Sequence, residues 1–280
     1  MTIERNRWIG SEKPAGETQL KSIGREMKKM KNRSTEKFPP PPNLPGGSDF
    51  KSKLIFKTRT IADLQVASVL ERLIPWLNKQ SGRVLEVGCG AQPYRRFIPE
   101  SCSYQGLDWE RSDACFSYKA PDTIYYDGKL FPFEDNSFDS LFHTEVLEHI
   151  YDTDLFLGEC RRVLKPGSEM LLSIPFQARY HYIPNDYWRF TPAALIRILE
   201  KAGFSQISIF TRGNDLAVAA YKNLSLNYRW LQSGILGKLT GVLILPFVPV
   251  LLALGHLSIK YPDCTGSSDD CLGYVVIAKA

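Results

Sequence analysis

From residue 60 onward, hydrophobic and polar residues alternate between the period of a helix and that of a strand. Five short apolar segments predict strands in series, at Arg83 to Val87, Ser103 to Leu107, Thr123 to Tyr126, Ser140 to His143 and Met170 to Ile174. The segments "SQISIF" and "GYVVIAKA" predict the last two strands. Helical and strand patterns in alternation favour a three-layer α/β domain with a largely parallel sheet.

Three segments have helical spacing. "TIADLQVASVLERLIPWLNKQ" predicts a helix before the first strand that closes between Pro75 and Ser81. "DTDLFLGECRRVLKPG" predicts a helix that ends at Pro166 and Gly167. "TPAALIRILEKAGF" predicts a helix with Thr191 as its N-cap and a proline in the first position.

The 280-residue chain has a net charge of +5, and its first 60 residues carry fourteen Lys/Arg against six Asp/Glu. Because this segment has little apolar periodicity and contains "FPPPPNLPGG", residues 1–55 are predicted to be a basic, proline-rich, disordered arm. Residues 56–280 are predicted to form the folded domain. No signal-peptide pattern is seen and the six cysteines have no zinc-type spacing, so we expect a cytoplasmic protein with free thiols and no metal site.

An apolar insertion at about 215–270 separates the last two predicted strands. Its segment "LTGVLILPFVPVLLALG", residues 239–255, has no charged residue but contains two prolines. A single membrane span would put the last strand across the membrane from its own sheet. The insertion is therefore predicted to contact the cytoplasmic membrane face peripherally, with a buried lid over the active site as the alternative.

The segment "VLEVGCGAQPY" follows the first strand and predicts a glycine-rich turn that enters a helix. A side chain at Gly88 or Gly90 would fill the space that a ligand needs against the backbone. A dinucleotide fingerprint requires a third glycine two residues later, where this chain has Gln92. That absence disfavours NAD, although a tight turn without any ligand also fits the bare pattern.

Carboxylates follow the next strands in order. Asp108 ends the second strand, where a carboxylate can accept the two hydroxyls of a ribose. Asp127 follows the third strand, and Glu145, Glu148 and His149 follow the fourth. Because the carboxyl ends of parallel strands meet at one sheet edge, these residues are expected around a common ligand.

Taken together, "GCGAQPY", "YDGKLFPF", "LEH", "RVLKPG" and "HYIPNDYWRFT" resemble the class I S-adenosylmethionine-dependent methyltransferases, and among them the methyltransferase type 11 group. The resemblance covers about residues 60–210 and the last strand. It implies a Rossmann-like seven-stranded sheet with the apolar insertion before its last strand, and S-adenosyl-L-methionine as cofactor. By this resemblance, the methionine part of the cofactor would contact Glu86, Gly88, Cys89 and Gly90. Its ribose would contact Asp108, and its adenine would contact Asp127 and Gly128. Its sulfonium side would contact Thr144 and Glu145.

The segment "ARYHYIPNDYWRFTPAAL" follows the fifth strand and is expected to lie over the transferred methyl group. His181 is the first candidate for the catalytic base and His149 the second, because imidazole titrates near neutral pH. Asp186, Tyr187 and Arg189 are candidates for binding the acceptor. Alternatively, Asp186 and Arg189 form an ion pair that fastens this loop.

The sequence therefore predicts methyl transfer to a small or lipid-linked acceptor, with O-methylation in a cell-surface sugar or lipid pathway as the first expectation. No nucleic-acid partner is expected. Two alternatives stay open: a catalytically silent, methyltransferase-like membrane adaptor, and an NAD(P)-binding oxidoreductase. The complete set of cofactor residues disfavours the adaptor, and the missing third glycine disfavours the oxidoreductase.

Overall fold

A computed structural model describes residues 44–112, 120 and 122–280, and its centre is one seven-stranded sheet. The strands are β1 (Arg83–Val87), β2 (Ser103–Trp109), β3 (Thr123–Tyr126), β4 (Phe138–Thr144), β5 (Leu164–Pro175), β6 (Ser205–Thr211) and β7 (Gly273–Lys279). Their order across the sheet is β3-β2-β1-β4-β5-β7-β6. β7 is antiparallel to both β5 and β6, and the other pairs are parallel.

Helices cover the sheet and extend beyond one end of it. The described residues include the helices α1 (Phe50–Ala62), α2 (Leu64–Leu77), α3 (Thr153–Val163), α4 (Pro192–Lys201), α5 (Asp215–Leu231), α6 (Ile235–Ile244) and α7 (Val248–Lys260). The predicted start of α4 is confirmed, because the Thr191 hydroxyl accepts a hydrogen bond from the Ala194 amide. This layered architecture is the Rossmann-like seven-stranded fold that the resemblance implies.

The core lies on both faces of the sheet because alternate strand residues point to opposite sides. In β1, Leu85 and Val87 pack into one buried cluster with α3 and α4, whereas Val84 packs into a second cluster with α2. Because core side chains fill both faces of the sheet, a site can be built by the loops at the carboxyl ends of the central strands.

Several strand ends lie one or two residues from the prediction, and three differences are larger. The helix predicted to end at Pro166 ends at Val163, because Leu164 already pairs with Phe138 as the start of β5. The glycine-rich turn leads only to a short 3-10 turn at Arg95–Phe97. The helix predicted before β1 is divided at Asp63, whose side chain accepts from the Gln65 amide and caps α2.

The chain before α2 packs onto the domain. Residues 1–43 of the predicted arm lie outside the described residues, whereas residues 50–55 are the first turns of α1. Leu44 is buried, and a Cβ at Gly46 would lie 1.8 Å from the Ala91 carbonyl oxygen. The segment before α1 therefore crosses directly over the glycine-rich turn.

The insertion between β6 and β7 is a helical hairpin. α5 leaves the sheet and packs along both α6 and α7, which are joined by one 3-10 turn at Leu245–Phe247. α6, this turn and α7 together form a helical segment, Ile235–Lys260, whose length and apolar composition would allow it to cross a membrane. Because β6 and β7 are antiparallel neighbours in one sheet, the hairpin leaves the sheet and returns to it at the same end.

Candidate active site

A cavity of about 640 Å³ opens at the carboxyl ends of β1, β2, β3 and β4. Every residue that the resemblance assigns to the cofactor lines it. They are Glu86, Gly88, Cys89, Gly90, Asp108, Asp127, Gly128, Thr144 and Glu145. Strands that are distant in sequence thus place these side chains and backbone groups around one space.

The glycine-rich turn forms the floor of the cavity. Gly88 has φ +67°, and a Cβ there would lie 2.4 Å from a methyl carbon of Val146. The Gly90 amide donates to Asp108 Oδ2 at 2.8 Å, which ties the turn to the end of β2. Gln92, where other branches of the family often have glycine, also has a positive φ, of 55°. The turn is therefore held in a conformation that brings backbone against the cavity.

Two buried carboxyl groups, those of Glu86 and Asp108, stand beside this turn. Burial raises the pKa of Glu86 to about 8. A hydrogen bond of 2.5 Å from the Tyr104 hydroxyl lowers this pKa, but by less than burial raises it. Asp108 is also buried and accepts from the Trp109 amide at 2.7 Å through its other oxygen. A cationic ligand would stabilise ionised Glu86, since an opposite charge favours the charged form.

Glu145 closes the opposite side in a strained backbone conformation, with φ +53°. Its Oε1 accepts hydrogen bonds from Ser173 at 2.9 Å and from the Arg212 guanidinium at 2.6 Å. Arg212 is buried at the end of β6 and also donates to Gln65. The sequence reading did not single out Arg212, because nothing in β6 indicates that its end reaches the turn after β4.

Asp127, Gly128 and Thr144 complete the side of the cavity assigned to the cofactor, which is called the cofactor wall below. Asp127 accepts from the Lys129 amide at 2.9 Å, and a Cβ at Gly128 would lie 3.1 Å from the Trp109 indole nitrogen. Thr144 is hydrogen-bonded to the buried Tyr94, which belongs to the glycine-rich motif. Gly128 therefore leaves room beside an indole ring, a surface suited to a flat aromatic group.

The loop after β5 forms the wall facing these residues. His181 and Tyr187 line the cavity, while Asp186 and Arg189 lie behind His181 and form an ion pair of 2.7 Å. Asp186 also accepts from His181 Nδ1 at 2.9 Å. Although burial raises the pKa of Asp186, the hydrogen bonds from His181 and Arg189 hold it below its ordinary range. This geometry agrees with the alternative reading of Asp186 and Arg189 as a loop fastener.

His149 lines the same wall, with its ring centre 5.1 Å from that of His181. Its Nδ1 lies 2.5 Å from the Asn185 carbonyl oxygen, and burial lowers its pKa to about 4. Glu148 lies behind the histidines and is fully buried. Burial and the nearby Glu145 raise the pKa of Glu148 well above its ordinary value.

The mouth of the cavity includes residues that the motifs did not indicate. Leu44, Arg59 of α1 and Val66 of α2 all line it. All three precede the first strand in sequence. The segment before α1 brings Leu44 over the glycine-rich turn, and α1 and α2 bring Arg59 and Val66 to the mouth. In the sequence, a leucine within a proline-rich segment, Leu44, is the signal that could have indicated this contact.

The family of the chain follows from one comparison. Residues 85–172 match a family model described as "Methyltransferase domain". Residues 85–172 therefore form a class I S-adenosylmethionine-dependent methyltransferase domain. The predicted family and its cofactor, S-adenosyl-L-methionine, are confirmed, and the matched methyltransferase segment contains every residue assigned to that cofactor.

Relatives of this methyltransferase cover part of it. A probable S-adenosylmethionine-dependent methyltransferase of Mycolicibacterium smegmatis is 31% identical over 43% of the chain and 51% of the relative. A ubiquinone biosynthesis O-methyltransferase of Dinoroseobacter shibae is 26% identical over 52% of the chain and 71% of the relative. The chain thus spans about half the length of the first of them.

Among solved structures, a SAM-dependent methyltransferase from Archaeoglobus fulgidus aligns with a TM-score of 0.47 and 19% identity. The alignment covers 83% of this chain and all of that protein.

Proposed function

We propose that the protein transfers the methyl group of S-adenosyl-L-methionine to an oxygen atom of a small or lipid-linked acceptor. The observation that carries this proposal is the single cavity that joins the cofactor wall to the histidine-bearing loop after β5. The similarity to a ubiquinone biosynthesis O-methyltransferase supports an oxygen acceptor. A cell-surface sugar or lipid pathway is the setting that we propose.

When bound, the cofactor supplies a methyl group activated by its cationic sulfur. Glu86 and Glu145 would offset that positive charge, and Asp108 would bind the ribose hydroxyls. Methyl transfer is an in-line displacement, so fixing the acceptor against the methyl group supplies most of the rate enhancement. His181, oriented by Asp186, would take the proton of an acceptor hydroxyl as the new oxygen–carbon bond forms.

We further propose that the hairpin lies on the cytoplasmic face of a membrane. Residues of a helix advance by about 100° each, which places nine exposed apolar residues of Ile235–Lys260 within an arc of about 140°. Gly241, Gly255 and Ile259 lie on the opposite, buried side. The exposed stripe consists of Ile235, Leu236, Leu239, Val242, Leu243, Phe247, Val250, Leu254 and Leu257.

Positive charge beside this stripe supports a lipid surface as its partner. α1 is joined to α7 by a hydrogen bond between His256 Nε2 and the Ile61 carbonyl oxygen, 2.8 Å long. α1 also carries Lys51, Lys53 and Lys57 beside the exposed Phe50. Exposed lysines on a helix that is joined to an apolar face suit an anionic interface, and such a position would bring an amphiphilic acceptor to the cavity.

The transfer reaction is tested with S-adenosyl-L-methionine labelled in its methyl group. Cell extracts incubated with the wild-type protein should gain a labelled product, and the Asp108→Ala variant should give less than about 1% of it. Asp263→Ala, which removes an exposed carboxylate, is the matched control. Label in the lipid fraction supports a lipid-linked acceptor, and label confined to water-soluble sugars contradicts it. No labelled product at all contradicts methyl transfer.

Membrane contact is tested by sedimentation with vesicles of anionic phospholipid. Leu243→Glu, in the stripe, should release the protein from vesicles, whereas Leu245→Glu, exposed but outside the stripe, should not. Equal loss in both variants, or no sedimentation of the wild type, would contradict an oriented interfacial hairpin. Vesicle binding with no labelled product in any fraction would favour the silent adaptor.

A further inference from the structure

A short strap, residues 44–49, crosses the glycine-rich turn just before α1 begins. Leu44 is buried and lines the cavity together with Gly90 and Ala91 of the turn. A Cβ at Gly46 would lie 1.8 Å from the Ala91 carbonyl oxygen, so the two backbones touch at this point. The strap therefore covers the turn against which the resemblance places the methionine part of the cofactor.

Arg96 holds this strap where it crosses the turn. Its Nη2 donates to the Pro45 carbonyl oxygen at 3.0 Å and to the Gly47 carbonyl oxygen at 2.9 Å. Among the described residues, no backbone amide donates to either of these carbonyls. The two hydrogen bonds bracket Gly46, so one guanidinium fixes the strap on both sides of its contact with the turn.

The guanidinium of Arg96 is itself held in place. Its Cζ lies 4.5 Å from the centre of the Phe56 ring, an arrangement that cation–π attraction stabilises. Phe56 is buried in α1, and its ring centre lies 5.7 Å from that of Phe97, which follows Arg96 in the 3-10 turn. The strap, α1 and the 3-10 turn are thus fastened together through one arginine.

Arg96 acts on the cavity through the strap. It is not one of the described residues that line the cavity, whereas Leu44 at the start of the strap is one of them. A change at position 96 therefore removes no group that touches a ligand in the cavity. Its effect on ligand binding must pass through the position of the strap.

We propose that Arg96 is a positioning residue for cofactor binding, because it fastens residues 44–49 over the glycine-rich turn. A strap that is ordered before binding lowers the entropy that binding loses. It also encloses the turn, so a ligand held there dissociates more slowly. This inference rests on the confirmed cofactor and not on the identity of the acceptor.

The test compares the binding of S-adenosyl-L-methionine to full-length variants, with affinity measured by calorimetry and dissociation by a chase with unlabelled cofactor. Arg96→Met should weaken binding about tenfold, mainly through faster dissociation. Arg96→Lys should do the same, because an ammonium group keeps the charge but lacks the planar fork that bonds two carbonyls over a ring. Gly46→Ala, which pushes the strap off the Ala91 carbonyl, should also weaken binding.

Arg72→Met is the matched control. The Arg72 guanidinium also lies 4.5 Å from the centre of a phenylalanine ring, that of Phe210, and Arg72 is not among the described residues that line the cavity. This variant should bind the cofactor as the wild type does. Hydrogen exchange of the α1 amides, measured without ligand, should be faster in Arg96→Met and unchanged in Arg72→Met.

Wild-type affinity in Arg96→Met would overturn the proposal, and so would wild-type affinity in Arg96→Lys, because charge alone would then suffice. Equal weakening in Arg72→Met would overturn it too, because a general loss of stability would explain the effect. If Arg96→Met does not fold, Gly46→Ala decides the question. A variant that keeps both its affinity and its labelled product removes only the strap and leaves the proposed function standing.

Discussion

The two walls of the cavity are built in different ways. The cofactor wall consists of backbone turns and carboxylates fixed at the ends of parallel strands, with Glu86, Cys89 and Asp108 all buried. The acceptor wall consists of side chains on one loop, held by the ion pair of Asp186 and Arg189. The first wall is tied to the sheet, whereas the second could change its side chains without disturbing the strands.

This difference indicates how one fold can keep its cofactor and change its acceptor. A substitution in the cofactor wall should affect folding or cofactor binding. A substitution in the loop after β5 should affect turnover or acceptor binding while the cofactor still binds. Variants of the two walls should therefore differ in which of these properties they lose.

The largest effect is expected from Arg212, which ties the cofactor wall to α2. Arg212→Met should lower the free energy of unfolding by about 3–5 kcal/mol, because the buried guanidinium donates to Glu145, Ser68 and Gln65 and all three acceptors would lose this donor. Arg189→Met, in the acceptor loop, should cost about 1–3 kcal/mol, because Asp186 keeps its hydrogen bonds from His181. Urea unfolding of both variants is the measurement. Equal losses would contradict the distinction between the walls.

A smaller effect is expected from the glycine-rich turn. Gly88→Ala should cost about 1–2 kcal/mol from its positive φ alone, and the contact with Val146 should add to that cost. Gly158→Ala, at a helix position where a Cβ meets nothing within 4 Å, should instead stabilise the protein by about 0.5–1 kcal/mol. Thermal unfolding with and without cofactor checks both. A Gly88→Ala protein that retains full stability would refute the tight fit of this turn.

The smallest effect concerns pH and Glu86. Burial raises the pKa of this carboxyl from 4.5 to about 8 in the folded protein. Because the unfolded chain releases this proton at lower pH, the folded state loses stability as the pH rises from about 4.5 to about 8. A cationic cofactor favours the ionised form, so its affinity should increase by up to about tenfold per pH unit between pH 6 and 8. Glu86→Gln should flatten this profile. A flat profile in the wild type would show that Glu86 does not face the cationic group.

The cofactor wall could be predicted from sequence because strand ends and motif spacing are local signals. The strands β1 and β3 were found at their observed bounds, and every residue assigned to the cofactor lines the cavity. The bounds of β5 were missed, because Pro166 and Gly167 usually end a helix without continuing as a strand. Here Gly167 donates its amide to the terminal Ala280 carbonyl.

The remainder of the site depends on contacts between distant segments, which a single sequence does not report. Arg212 reaches Glu145 across 67 positions, and Leu44 meets the glycine-rich turn from the proline-rich segment. The closeness of Glu148 to His181 was also hidden, because only the packing of the loop after β5 brings these two side chains together. Motifs therefore identified the cofactor, while tertiary packing assembled the acceptor wall.

The most direct test of two separate walls is a calorimetric titration of S-adenosyl-L-methionine into three proteins. The wild type and His181→Asn should bind the cofactor with affinities within about threefold of each other, and Asp108→Ala should bind at least about 100-fold more weakly. The account would be contradicted if the wild type gave no binding heat, or if His181→Asn lost affinity as severely as Asp108→Ala.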